Sequence, residues 1–205
     1  LVLKKQAQTK RMFGYVFSGL GAFAILLWLG FILLGNLATH AIDFLPTEVD
    51  QKIGEFAGEN MDHGGSEVHD AHIVEPVEEI VAILEAAVRK VDGRDWEFDV
   101  HVIDADIENA YALPGGYIVV YTGLLEEMNR PEQLAGVLAH EMAHVTERHG
   151  LERIVKMVGL TVVVDVLLGD VEGMIALAAE FLSVSTINAY SREAETEADL
   201  KGLVF

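Results

Sequence analysis

No cysteine occurs anywhere in the chain, so disulfides and thiolate metal sites are excluded, and any metal must be held by histidine and carboxylate. That absence suits oxidising and reducing compartments equally. Positive charge is scarce as well: 14 Lys and Arg stand against 33 Asp and Glu, for a net charge of −19. No Lys/Arg-rich face exists to neutralise phosphates, which excludes nucleic acid as a partner. The same charge argues against a surface lying broadly on anionic lipid. No internal repeat is evident. What the chain does not lack is apolar surface. At 205 residues and 51% hydrophobic, it can build one core of ordinary size and still has a surplus to place.

The surplus is concentrated near the start. Met12–Gly35 is 24 residues without an Asp, Glu, Lys or Arg, a length of about 36 Å as a helix, enough to cross a ~30 Å hydrocarbon layer with some tilt. Residues 12–36 are therefore read as a transmembrane helix that contacts the lipid bilayer. A cleaved signal peptide, the alternative, has a shorter apolar region ending in a small-x-small site. Lys4, Lys5, Lys10 and Arg11 precede the span, whereas Asp43, Glu48, Asp50, Glu55 and Glu59 follow it. The positive-inside rule then makes residues 1–11 a cytoplasmic tail and puts the rest outside the cytoplasm, on the periplasmic or external face.

Beyond the span, residues 37–72 read as an acidic juxtamembrane linker whose His63, His69 and His72 belong to a solvated tract rather than an accessory metal site. Residues 73–205 read as one folded domain. The apolar stripe of Val77, Ile80, Val81, Leu84, Ala87, Val88 and Val91 predicts a helix starting at Pro76. Alternation predicts a strand over Trp96–Ile103, with short strands at Ala110–Leu113 and Tyr117–Tyr121 around a Pro114-Gly115-Gly116 turn. A helix is expected from Pro131 to His149, capped by Gly150, with His149 near its surface end facing the helix dipole. Leu151–Leu168 and Met174–Tyr190 read as two apolar helices, buried or forming a lid, and a final charged helix begins near Ser191. The fold class expected is α+β, mainly α: one N-terminal transmembrane helix, a small antiparallel sheet, and a helix carrying His-Glu-x-x-His.

That motif is His140-Glu141-Met142-Ala143-His144. Positions i and i+4 lie about 40° apart around a helix, so both imidazoles leave one face and can meet one Zn²⁺. Glu141, turned about 100° away, is placed to act on a water at the metal as a base without ligating it. The helix around them is apolar and small, and two histidines and a glutamate buried there need partners. A third ligand must come from elsewhere. In Ser191-Arg192-Glu193-Ala194-Glu195-Thr196-Glu197-Ala198-Asp199, Glu195 and Asp199 share a helical face while Glu193 and Glu197 point away. Geometry favours Glu195 as ligand and Asp199 as the group that orients a ligating histidine. A solvated acidic face is the other reading of such a run.

With Asn109-Ala110-Tyr111-Ala112-Leu113-Pro114-Gly115-Gly116, the His140–His144 motif and Ser191-Arg192-x-x-Glu195-x-x-x-Asp199 in this order, residues 75 to 205 resemble the membrane-associated zinc metallopeptidases of the HtpX, BepA and CAAX prenyl protease type, peptidase family M48. The resemblance implies a gluzincin-type zinc metalloendopeptidase with one Zn²⁺ per chain. It implies Glu195 as third ligand, Asp199 as a supporting residue, and Asn109, Ala110, Tyr111, Ala112 and Leu113 as an edge strand that takes substrate by β-addition. It also implies unfolded or membrane-associated proteins as substrates, a place in membrane or envelope protein quality control, and a C-terminal part of the domain lying beyond Phe205. The alternative function is a membrane-tethered, chaperone-like binding module with a non-catalytic zinc site.

Overall fold

A computed structural model describes residues 45–158 and 190–205, together with Ile42 and positions 19–21, 23, 25, 26 and 28–30. Most of the 12–36 span and the segment 159–189, with all of the helix expected over Met174–Tyr190 except Tyr190 itself, therefore lie outside the described residues. The described positions between 19 and 30 are helical, and Leu20, Phe23, Ile25, Leu26, Trp28 and Leu29 are all exposed. Among the described residues no helix is long and apolar enough to cross a membrane.

The segment read as an acidic linker contains a helix, α1 (Thr47–Asn60), that belongs to the core. Val49, Ile53 and Ala57 recur every four residues, so one face is apolar although the composition is acidic, and all three are buried. Gly54 lies on the same side, where a Cβ would sit 1.9 Å from the Pro114 carbonyl oxygen, so only glycine lets α1 approach this closely. After the two-residue strand β1 (Ser66–Glu67), α2 spans Ala71–Asp92. It starts five residues before Pro76, because the Asp70 carboxylate accepts the His72 N–H at 3.0 Å and caps it. It stops at Gly93, whose φ of 76° is left-handed.

The sheet corrects the antiparallel expectation. Its strands are β1, β2 (Asp99–Asp104), β3 (Ala110–Ala112) and β4 (Tyr117–Tyr121), in the order β1-β2-β4-β3. β4 runs parallel to β2, with Asp99 opposite Tyr117 and Ile103 opposite Tyr121, and the other two pairings are antiparallel. The mixture has a simple cause. The chain leaves β2 for the sheet edge as β3, reverses through Pro114–Gly116, where Gly115 takes φ 80°, and returns between its two neighbours. β4 is thus paired along both edges, and Ile118–Tyr121 are buried on both faces, which suits their run of apolar residues.

Alternation along β4 divides the core. Val119 and Tyr121 pack with Ile53 and Ala57 of α1 and with Leu151 and Ile154 of α5 (His149–Val158). Ile118 and Val120 pack with Val77, Val81 and Val88 of α2 and with Leu134, Leu138 and Met142 of α4 (Pro131–Thr146). The short α3 (Thr122–Glu127) leads from β4 towards α4, which has Pro131 at its first position. α4 ends at Thr146 rather than His149. Arg148 adopts φ 58°, and His149 opens α5 instead of closing α4. The last described element, α6 (Arg192–Gly202), is capped by the Ser191 hydroxyl, which accepts the Ala194 N–H at 3.2 Å. It lies close against α4, since a Cβ on Gly202 would stand 3.1 Å from the Ala139 carbonyl oxygen.

Candidate metal centre

The site forms where α4 and α6 meet. Leu134, Leu138, Met142 and Val145 anchor α4 to the sheet, and this turns His140, Glu141 and His144 to the opposite side. From α6, Glu195 and Asp199 face them, while Ala194 and Ala198 are buried. The Nε2 atoms of His140 and His144 are 3.0 Å apart. Glu195 Oε2 is 3.4 Å from His140 Nε2, and Glu195 Oε1 is 3.9 Å from His144 Nε2. One donor atom from each of the three residues lies within 4.8 Å of the others, an arrangement that could hold a metal ion.

The donor set fits a cation. Asp199 Oδ1 is 2.9 Å from His140 Nδ1, so this ring donates Nδ1–H to the carboxylate and turns the Nε2 lone pair inward. His144 is buried, and its pKa is pushed down to about 3, first by burial and then by His149 and His140. It is therefore neutral at physiological pH, the ligating form. Two nitrogens bound to one tetrahedral zinc stand about 3.3 Å apart, as follows from ligand distances of 2.0–2.1 Å. The 3.0 Å between the two Nε2 atoms is close to that. Two inward lone pairs and a carboxylate need a positive charge among them.

Glu141 accepts the Ala112 backbone N–H through Oε2 at 3.1 Å. Burial pushes its carboxyl up to about 8, the Ala112 hydrogen bond opposes this, and the negative charge of Glu195 adds to it. A carboxyl held in this range exchanges protons near neutral pH. Ala112 belongs to β3, which occupies the sheet edge. Leu113 N–H donates to the Tyr117 carbonyl and Tyr121 N–H to the Asn109 carbonyl, so Asn109, Tyr111 and Leu113 direct their backbone groups at β4. Those of Ala110 and Ala112 point the other way, towards Glu141. The side chains of residues 110–113 are buried.

Sequence reasoning missed two residues beside the site, His149 and Tyr190. His149, expected at the surface, is buried, and its Nδ1 lies 2.9 Å from Nδ1 of His144. Its Nε2 faces Glu197 Oε2 at 3.4 Å. Tyr190 stacks on the His144 ring, with centroids 4.1 Å apart and planes at 15°. His149 lies five positions after His144, a spacing that shares no face of a straight helix, and the break at Arg148 brings the rings together. His63 is not part of any such gathering. Its ring nitrogens meet the Tyr111 hydroxyl at 2.6 Å and the Gly58 carbonyl at 2.7 Å.

The family model described as Peptidase family M48 matches residues 75–205. Among curated relatives, the mitochondrial metalloendopeptidase OMA1 of Schizosaccharomyces pombe is 34% identical over 110 residues, covering 54% of this chain and 33% of that protein. The mitochondrial metalloendopeptidase OMA1 of Arabidopsis thaliana is 36% identical over 121 residues, covering 58% and 24%. The putative beta-barrel assembly-enhancing protease of Vibrio cholerae is 34% identical over 109 residues, covering 46% and 22%. The chain spans a third or less of the length of each of these relatives.

Proposed function

The chain belongs to peptidase family M48, and from that premise we propose that it is a zinc-dependent endopeptidase centred on His140, His144, Glu195 and Glu141. The observation that carries this reading is the convergence of three metal-donor atoms beside a buried carboxyl whose pKa lies near neutrality. His140, His144 and Glu195 would hold the zinc, and three protein ligands leave room for a fourth partner. Zinc held there supplies Lewis-acid chemistry, lowering the pKa of a water and polarising the scissile carbonyl.

The remaining chemistry belongs to the chain. Glu141 takes the proton from the attacking water and returns it to the leaving amine. Asp199 fixes the His140 tautomer, and the Ala112 N–H fixes the rotamer of Glu141. The outward N–H and carbonyl of Ala110 and the outward carbonyl of Ala112 give an extended substrate a strand to pair with, beside the Glu141 that the Ala112 N–H holds. Main-chain pairing of this kind accepts many sequences, which suits unfolded or membrane-associated proteins and a role in protein quality control. Residues 12–36 serve as a single-pass anchor with the N-terminus cytoplasmic. The exposed Leu20, Phe23, Ile25, Leu26, Trp28 and Leu29 support this, since such a face is stable against lipid.

The test is cleavage of unfolded casein by the protein in detergent or vesicles, with and without a chelator. Zinc-restored cleavage supports the proposal. Casein bound without cleavage, with zinc present in the protein, would move the function to the chaperone-like binding module.

A further inference from the structure

We propose that His149 is a positioning residue for the metal centre, holding His144 in the one tautomer and orientation that presents Nε2 to the ion. The inference rests on the zinc reading above and extends it to a residue that supplies no ligand. Two ring nitrogens 2.9 Å apart in a buried pair share one proton. Nε2 of His144 faces His140 and Glu195, and to offer an ion a lone pair there the ring must carry its proton on Nδ1. His144 is then the donor and His149 Nδ1 the acceptor. The proton of His149 itself is consequently on Nε2, where Glu197 Oε2 stands 3.4 Å away.

The two ligating histidines are thus steadied differently. His140 is held by the carboxylate of Asp199, and His144 by an imidazole that leans in turn on a carboxylate. The backbone is built for the second arrangement. Arg148 takes the left-handed region at φ 58°, which an arginine adopts only when its surroundings demand it. Its guanidinium is locked by Asp50 and by the carbonyls of Ile42 and Leu45 at 2.8 and 2.7 Å. That lock turns the chain between α4 and α5 and carries His149 back onto the His144 ring. With Tyr190 stacked on it, His144 has little freedom to rotate.

The experiment uses the full chain in detergent and has two readouts, neither of them activity. Zinc affinity is measured by competition with a chromophoric chelator for wild type, His149→Leu and His149→Asn, whose amide oxygen can accept the Nδ1–H. Imidazole ¹⁵N shifts of the metal-free protein report the tautomers. Expected are an Nδ1–H tautomer for His144 and Nε2–H for His149 in wild type. Zinc affinity should fall about 10- to 100-fold in His149→Leu, the range typical of lost outer-shell partners, and His149→Asn should recover most of it. Wild-type affinity in His149→Leu overturns the proposal, as does a predominantly Nε2–H tautomer for His144. If His149→Leu does not fold, His149→Asn decides: a folded Asn variant that binds as weakly as one lacking a ligand also overturns it. A wild-type protein that takes up no zinc refutes the zinc reading instead, and the tautomers still judge the role of His149.

Discussion

Two polar clusters, one buried and one partly open to solvent, lie on either side of the Glu147–His149 turn, and they are finished in opposite ways. In one, Arg148 and Asp50 are both nearly inaccessible, and their groups are matched. The guanidinium reaches Asp50 through Nη2, the same carboxylate through Nε at 3.3 Å, and three backbone carbonyls from Ile42 to Pro46. Burial raises the pKa of the Asp50 carboxyl, and the hydrogen bonds and charge of Arg148 oppose the rise. In the other cluster, His140, His144 and Glu195 point acceptors at one another across 3.0 to 3.9 Å. A cluster closed upon itself is structure, whereas acceptors facing acceptors make a site that a cation completes.

The largest effect that could break this contrast is on catalysis. Glu141→Gln removes the base but none of the three donors, so cleavage should fall about 10²- to 10⁴-fold with zinc content unchanged by atomic absorption. His140→Ala and Glu195→Ala should lose the zinc itself. A Gln variant with wild-type turnover sinks the assignment of Glu141, and a zinc-replete His140→Ala variant sinks that of the centre.

Next in size is the clamp. Asp50→Ala leaves a buried guanidinium without its counter-charge, a loss of about 3–5 kcal/mol, read from denaturant unfolding of the zinc-free protein. Replacing both partners by apolar residues (Asp50→Leu with Arg148→Met) should recover most of that loss, because nothing charged is then left buried. A single Asp50→Ala change costing under ~1 kcal/mol would place the pair among surface-like ion pairs and erase the contrast. Smaller again is Gly54→Ala. Its Cβ would collide with the backbone of Pro114, forcing α1 off the sheet at a cost of about 1–3 kcal/mol, seen as a lower melting temperature.

Which parts were legible in advance follows from the range of the interactions involved. The gathering of His140 with His144, and of Glu195 with Asp199, is set by spacing within single helices, and a period of 3.6 can be read off a chain. The division of β4 into two core faces is local in the same sense. The parallel pairing of β2 with β4 is not, because it depends on where a hairpin inserts. α1 was hidden in an acidic composition, though Val49, Ile53 and Ala57 carried its stripe. The break at Arg148 depends on Asp50, 98 residues earlier in the chain. No neighbouring residue announces it, and His149 was misplaced for that reason.

Comparable in size to the Gly54 change is a pH dependence of stability in the zinc-free protein, and its sign differs between two groups of one site. His144 has a folded pKa of about 3, below its ordinary 6.5. The unfolded chain therefore binds more protons between those values, and this contribution is lost as pH falls through the window. Glu141 has a folded pKa of about 8, above its ordinary 4.5. Here the folded protein binds the extra proton, and stability is lost as pH rises from 4.5 to 8. Between about 4.5 and 6.5 the two slopes oppose and nearly cancel, while outside that window each acts alone at up to about 1.4 kcal/mol per pH unit. Melting temperature in chelator should therefore peak in the mildly acidic range. Zinc favours the charged form of Glu141 and removes the proton competition at His144, so it should flatten both limbs. Glu141→Gln should remove only the alkaline limb. A metal-free protein whose stability does not fall between pH 6.5 and 8 would mean that the Glu141 carboxyl is already ionised in the empty site.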